Sequence, residues 1–293
     1  MSLHNQASPG VGVGLRSCHY EWVLEHRPPV GWFEVISENF LVPGGKPLWY
    51  LEQTRKHYPV ALHGVSMSLG SADPTPLDYL RKLKELIQRI APLWVSDHLC
   101  WAGIHGNYGH DLWPLPYTEE TLAHVVEKIE RVQNFLGRRI LIENLSTYIE
   151  FKHSEMTEWD FLSEIAERAD CGILLDINNI YVSAHNHGID ARAYLDRVPA
   201  ARVREIHLAG PSQRGSMLVD THDHPVVEEA WRLYDYFLAA KGPRPTLLEW
   251  DDKIPSFPEL LAEAGKAGAR LAALEQEPPC PSISRPRRNS SGV

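Results

Sequence analysis

Six acidic or imidazole side chains share one local setting, the last position of a short apolar run or the position just after it. His63 ends Val-Ala-Leu-His, His98 follows Val-Ser-Asp, Glu143 ends Leu-Ile-Glu, Asp176 ends Leu-Leu-Asp, His207 lies in Glu-Ile-His-Leu and Glu249 ends Leu-Leu-Glu. Asp220 and His222 follow the run that carries His207, and two residues apart in an extended stretch they project to the same side. Singly, each has an ordinary explanation as a hydrogen-bonded loop histidine or a helix-starting acid. As a set on one kind of end, with only His57 and Asp170 comparable at the opposite ends, they point to a metal centre. Imidazoles and carboxylates without thiolates suit iron, manganese or zinc, and exclude an iron-sulfur cluster or a cysteine-rich structural zinc. The donors outnumber what one ion can use, so at least two ions are expected, bridged by Glu143 or Asp176. Cys100, two residues past His98, reads as a buried, apolar-like cysteine rather than a ligand.

Such residues act together only if the chain brings the ends of those runs to one place. Eight β-rich runs are expected as strands: residues 11–15, 32–36, 60–63, 93–96, 140–143, 173–176, 203–208 and 246–249. Several are apolar on both faces, as Ile140-Leu141-Ile142 and Ile173-Leu174-Leu175 are, which is the pattern of parallel strands covered by helices. Helical periodicity fills the gaps, with Leu80, Leu83, Leu86, Ile87 and Ile90 on one face and Leu122, Val125, Val126, Ile129, Val132 and Leu136 on another. Gly137 is placed to close the second of these, Thr157 with Asp160 and Ser256 with Glu259 to open later helices, Pro225 to lie near a first turn, and Gly242-Pro243 to end the helix before the last strand. The alternation predicts an α/β chain folded as a single (β/α)8 TIM barrel over residues 1–274, with a doubly wound open sheet as the alternative. A barrel gathers every strand end onto one face. Residues 275–293, rich in Pro, Ser and Arg, are expected to be a disordered tail.

Composition narrows the partners. The 293 residues carry 29 Lys and Arg against 38 Asp and Glu, a net charge of -9, which disfavours nonspecific nucleic-acid binding. No apolar run approaches the ~20 residues of a membrane span. Cys18, Cys100, Cys171 and Cys280 form no CxxC pair and the first ten residues lack a signal-peptide layout, so a cytoplasmic location is expected.

The chain resembles the divergent (β/α)8 barrels that include xylose isomerase and endonuclease IV. Within them it resembles more closely the multinuclear non-haem iron-dependent oxidative enzymes, the family of the methanobactin-biosynthesis oxygenase. The phrases that carry the resemblance are Val13-Gly14-Leu15-Arg16, Glu38-Asn39-Phe40, His63-Gly64-Val65-Ser66-Met67-Ser68, Ser96-Asp97-His98-Leu99, Glu143-Asn144-Leu145-Ser146, Leu175-Asp176-Ile177-Asn178-Asn179 and Asp220-Thr221-His222-Asp223-His224-Pro225. The resemblance implies one ion on His63, His98 and Glu143, a second on Glu143, Asp176, His207 and Glu249, and a third, weaker one on Asp220 and His222. It places Asn179 among the metal residues, where the DNA-repair barrels have a histidine; an amide oxygen is a harder and weaker donor, and sides with iron rather than a tight third zinc. It makes Glu143 and Asp176 catalytic, and Glu38, Asn39, Asn178 and His224 substrate-side residues. The implied activity is oxidation, by two to three mixed-valent iron ions with dioxygen as co-substrate, of a small Cys-containing precursor peptide. A small leader-recognising partner protein is implied as well. Trp101, Trp113 and Tyr117 either wall a peptide groove or pack the barrel rim. The parent superfamily leaves open a zinc- or manganese-dependent hydrolase or sugar isomerase, and the ligand cluster alone leaves open a non-enzymatic metal-binding barrel.

Overall fold

The computed structural model describes residues 9–276. Its strands are β1 (Val11–Gly14), β2 (Trp32–Ile36), β3 (Val60–Gly64), β4 (Val95–His98), β5 (Trp101–Ile104), β6 (Asn107–Trp113), β7 (Leu141–Glu143), β8 (Gly172–Asp176), β9 (Val203–Leu208), β10 (Gly210–Arg214), β11 (Met217–His224) and β12 (Thr246–Leu248). Its helices are α1 (Tyr20–His26), α2 (Lys46–Arg55), α3 (Leu77–Ile90), α4 (Glu119–Leu136), α5 (Glu158–Arg168), α6 (Ile177–His187), α7 (Ala191–Arg197), α8 (Glu228–Lys241) and α9 (Phe257–Gln276). Eight strands, all parallel, close a barrel in the order β1-β12-β9-β8-β7-β4-β3-β2. The architecture is the expected (β/α)8 TIM barrel, and the open sheet is excluded by closure.

The apolar runs form these strands because both their faces are buried, one against helices and one inside the barrel. The two-residue alternation divides each strand between the faces. Inward residues at the amino ends make a separate buried cluster of Trp32, Ala61 and Leu247, with Leu93 and Trp94 against it. Trp32 can occupy the barrel axis only because position 12 opposite it is glycine; a Cβ there would come 2.4 Å from the indole ring. The barrel is thus plugged with hydrocarbon at one end, and polar residues are free to take the other.

The helices start and stop where their caps place them. Thr118 accepts from Thr121 N–H at the start of α4, and Gly137, at φ 74, closes it. Thr157 caps α5 and Gly242 ends α8, while Ser256 donates both its backbone N–H and its hydroxyl to Glu259 at the start of α9. Pro225 stands ahead of Val227, the N-cap of α8. The expected tail lies outside the described residues from 277 onward; positions 275 and 276 continue α9.

Two elements differ from expectation. The fourth barrel strand runs to His98 rather than Ser96, because Asp97 and His98 pair with Ile142 and Glu143 of β7. Two antiparallel hairpins, β5-β6 and β10-β11, were not expected, and residues 220–224, read as an extended loop, belong to β11. In the first hairpin His105 and Gly106, at φ 52 and 74, make the two-residue turn whose twist suits paired strands. No helix among the described residues is long and apolar enough to cross a membrane.

Candidate metal centre

The strands bring six of the expected residues to the carboxyl end of the barrel, and their neighbours set which atoms face inward. His98 Nδ1 donates to the Gly64 carbonyl at 3.1 Å, and His63 Nδ1 meets the Ser96 hydroxyl at 2.9 Å. Both rings therefore turn Nε2 forward, to within 3.4 and 3.3 Å of Glu143 Oε2. Burial holds both imidazoles in the neutral form: it drives His63 well below the ordinary range, aided by the charge of His98, and His98 down to about 4. A neutral imidazole with a free lone pair is what a metal ligand requires.

The opposite wall is richer in charge. Asp176, at the end of β8, spends Oδ1 on capping α6, accepting from Asn179 N–H at 2.6 Å. Asn144 clamps the same strand end, accepting from Asp176 N–H at 2.9 Å and donating to its carbonyl at 3.0 Å. His207 Nδ1 lies 3.0 Å from Glu249 Oε2 and 3.9 Å from Glu143 Oε1. His222 Nδ1 lies 3.3 Å from Glu249 Oε2, and its Nε2 is 2.6 Å from Asp220 Oδ1. His222 sits in left-handed backbone at φ 47, unusual without glycine, with its carbonyl accepting from Asp251 N–H at 2.8 Å. Arg16 ties the end of β1 to this wall, donating to the Trp250 carbonyl and pairing with Asp251, 3.7 Å from Glu249.

Electrostatics divides these groups. Burial pushes Glu143 well above the ordinary carboxylate range and Asp176 up to about 7. Burial opposes charge on His207 and His222 too, but the carboxylates of Glu34 and Glu249 around the first, and of Asp220 and Glu249 around the second, outweigh it and raise both. Burial likewise works against Glu249, and the same two histidines overcome it, holding this carboxyl well below its ordinary range. A carboxylate-rich, water-excluded cluster of this kind asks for positive charge.

Three buried oxygens make the same point sterically: Glu143 Oε2, Asp176 Oδ2 and Asn179 Oδ1 have no hydrogen-bond partner. The Asn179 oxygen is left free because its amide nitrogen donates to Asn144 O at 3.0 Å. Four overlapping groups place their donor atoms within 4.8 Å of one another: His63, His98 and Glu143; Glu143, Asp176 and His207; Asp176, His222 and Glu249; and Glu34, His207 and Glu249. The residues therefore fit a multinuclear cation centre. A cavity of about 230 Å³ opens onto it, with His63, His98, Glu143, Asn179, His222 and Glu249 in its walls and Asp111, Tyr148 and Asp251 at other points of its lining.

The substrate-side residues expected from the resemblance fall elsewhere. Glu38 holds the segment after β3, accepting from Val65 N–H at 3.0 Å and Tyr79 O–H at 2.9 Å. Asn39 is exposed, Asn178 is buried and donates to Asp220 at 2.6 Å, and His224 is half-exposed against Asp223; none of the four lines the cavity. Trp101 and Trp113 stack on each other across the β5-β6 hairpin and Tyr117 packs on Phe161, also away from the cavity wall. Cys100 is fully buried. Glu34 and Glu205, both buried beneath His207, were missed; the available signal was an acid placed two residues from an inward-facing position of the same strand.

Comparison with known proteins gives the family and the fold. Residues 10–272 match the family described as RiPP precursor modification enzyme MbnB/TglH/ChrH. A UPF0276 protein of Anaeromyxobacter sp. (strain Fw109-5) is 55% identical over 271 residues, covering 91% of this chain and 96% of that protein. A UPF0276 protein of Vibrio parahaemolyticus is 45% identical over 275 residues, covering 92% and 96%. Among solved structures, endonuclease IV from Thermus thermophilus superposes with a TM-score of 0.58 at 17% identity, covering 92% of this chain and 100% of that one. An L-ribulose 3-epimerase gives 0.57 at 12% identity, covering 91% and 93%. At such identities these two share the barrel and nothing more specific. The match of residues 10–272 spans the whole closed barrel and every donor described above, and by it the chain belongs to the MbnB/TglH/ChrH family of RiPP precursor modification enzymes.

Proposed function

We propose that the protein is a multinuclear iron-dependent oxidase or oxygenase that uses dioxygen to modify a small ribosomally made precursor peptide at cysteine. The observation that carries this reading is the pair of neutral imidazoles, His63 and His98, aimed at a carboxylate oxygen of Glu143 that has no other partner, with Glu143 also facing His207. Two to three iron ions, if bound by these residues, would supply oxygen reduction and acidification of a substrate thiol. In this reading His63, His98 and Glu143 would hold one ion, Glu143, Asp176, His207 and Glu249 a second, and Asp220 with His222 a third. Asn179 offers its free amide oxygen between them, a donor suited to a hard ion rather than to a tight zinc site.

The protein's own groups also set the substrate's size. A cavity of about 230 Å³ takes one side chain with its flanking backbone and no folded unit, so an extended or terminal peptide segment enters. Asp111, Tyr148 and Asp251 contact that segment from the cavity lining. Asp220 stays in place because Asn178 and Ser146 donate to it, at 2.6 and 3.1 Å. Leader recognition falls to a small partner protein in the same cytoplasm. Equal turnover of leader-bearing precursor with and without the neighbouring candidate protein would remove that element.

The decisive experiment is elemental analysis with a Mössbauer spectrum on protein purified anaerobically without added metal. Roughly two to three irons per chain with a mixed-valent signature, and oxygen uptake coupled to turnover of a Cys-containing peptide, are expected. Stoichiometric zinc with turnover independent of oxygen would refute the oxidative reading.

A further inference from the structure

Below the floor of the centre, Glu34 of β2 and Glu205 of β9 meet the rear nitrogen of His207. Glu34 Oε1 lies 3.3 Å and Glu205 Oε1 3.4 Å from His207 Nε2. The three side chains are buried, Glu205 and His207 completely. Glu34 Oε2, both oxygens of Glu205 and His207 Nε2 itself have no hydrogen-bond partner, so the rear nitrogen of His207 and the two carboxyl groups face one another at contact distance. This layer lies between the Trp32 plug and the metal residues, where a barrel is ordinarily filled by branched hydrocarbon. Two carboxylates in that place cost stability unless they serve a neighbour.

The contrast with the other histidines shows what that service is. His63 is backed by the Ser96 hydroxyl and His98 by the Gly64 carbonyl, both neutral, and each turns Nε2 forward. His207 is backed by two carboxylates and turns Nδ1 forward, toward Glu249 and Glu143. We propose that Glu34 and Glu205 are positioning residues that hold His207 with Nδ1 toward the centre by presenting carboxyl oxygens to its Nε2. The centre is thereby made asymmetric: of His63, His98 and His207, only His207 is backed by carboxyl groups and turned Nδ1 forward. This rests on the metal reading above, and deepens it by naming what distinguishes the two positions.

Two measurements test it. In zinc-loaded, ¹⁵N-histidine-labelled protein, a long-range ¹H–¹⁵N spectrum, with His207 assigned by its loss in His207→Gln, is expected to show the metal on Nδ1 and the proton on Nε2. A metal-bound Nε2, the result if Glu34 were itself a ligand alongside that nitrogen, overturns the inference. The second measurement uses Glu34→Leu and Glu205→Leu, which remove the oxygens that face His207 Nε2. By chelator competition each is expected to weaken one ion 10–100-fold and leave the other unchanged, and in the iron form to shift the Mössbauer signal of one site. A purely structural role would lower the melting temperature without touching either readout. Folded variants with wild-type affinities and spectra overturn this inference while leaving the metal reading intact; wild-type protein that takes up no ion overturns both.

Discussion

Glu143→Gln separates what this carboxylate does for the fold from what it does for the centre. Without metal, Glu143 is a buried acid held well above its ordinary range by burial, with Oε2 3.4 and 3.3 Å from the imidazole nitrogens of His63 and His98. Glutamine has the same shape and no charge, and its amide can donate to those lone pairs. The metal-free variant is therefore expected to melt no lower than the metal-free parent. With metal the sign reverses. Outer-shell partners alone alter metal affinity 10–100-fold, so loss of a ligand facing both positions sets a floor of about 100-fold. At an ion concentration of about 100 times the parent's Kd, binding stabilises the parent by about 2.7 kcal/mol; a 100-fold weaker variant gains only about 0.4. For a domain of this size the metal-induced rise in Tm shrinks from roughly 5 °C to about 1 °C. Paired melts in chelator and in ferrous iron, with metal content and peptide turnover on the same samples, read all of this. A variant that keeps full metal and full turnover refutes the bridging assignment, and one that is badly destabilised without metal shows Glu143 to be structural instead.

Other perturbations address the scaffold. Glu158 is partly buried against Tyr117 and Tyr194, and the loss of solvent there raises it from 4.5 to about 7. The folded state thus keeps a proton the unfolded chain releases, and stability falls as pH rises from about 4.5 to 7; Glu158→Gln should flatten that slope in urea unfolding, gaining up to about 3 kcal/mol at pH 8, and a slope unchanged in the variant would disprove the assignment. Gly12→Ala sets a methyl 2.4 Å from the Trp32 ring and should cost on the order of 1–3 kcal/mol, seen as a lower midpoint in denaturant; an unchanged midpoint would mean that the plug yields. Lys128 donates to the carbonyls of Ser68, Ser71 and Asp73 at 2.9, 2.8 and 2.6 Å, so Lys128→Met should cost about 3 kcal/mol while metal content stays at the parent's level; a parallel loss of metal would show that the segment after β3 is coupled to the centre.

The barrel was legible because parallel strands buried on both faces announce themselves as unbroken apolar runs, and Ile173-Leu174-Leu175 can be little else. The hairpins were not, because their strands are half-exposed and mix glycine with polar residues: Asn107-Tyr108-Gly109-His110-Asp111 has no apolar period, and His105-Gly106 is a weaker turn signal than Asn-Gly. Gly215-Ser216 was a readable turn, but its flanks, Ser212-Gln213-Arg214 and Met217-Leu218-Val219, do not look like one sheet until they pair. The proposed metal residues stood out because strand ends are where a barrel's side chains converge.

Their supporting residues followed a different geometry from the one assumed. Asn178 and His224 were expected at the substrate from the resemblance and not from a signal of their own. Neighbours in a helix diverge by about 100°, so adjacency to Asn179 turns the Asn178 side chain away from it. Asn178 accordingly reaches Asp220 instead, and His224 turns toward Asp223. The spacing that does keep two side chains together on a strand is two residues, and Glu205 stands two residues before His207, beneath it and 3.4 Å from its rear nitrogen. Glu34 obeys the same rule from across the barrel: it shares the inward face of β2 with Trp32. An acid that looks like the wet half of an amphipathic strand becomes an interior group once the barrel closes, so its role follows from the curvature of the sheet rather than from any pattern within the strand itself.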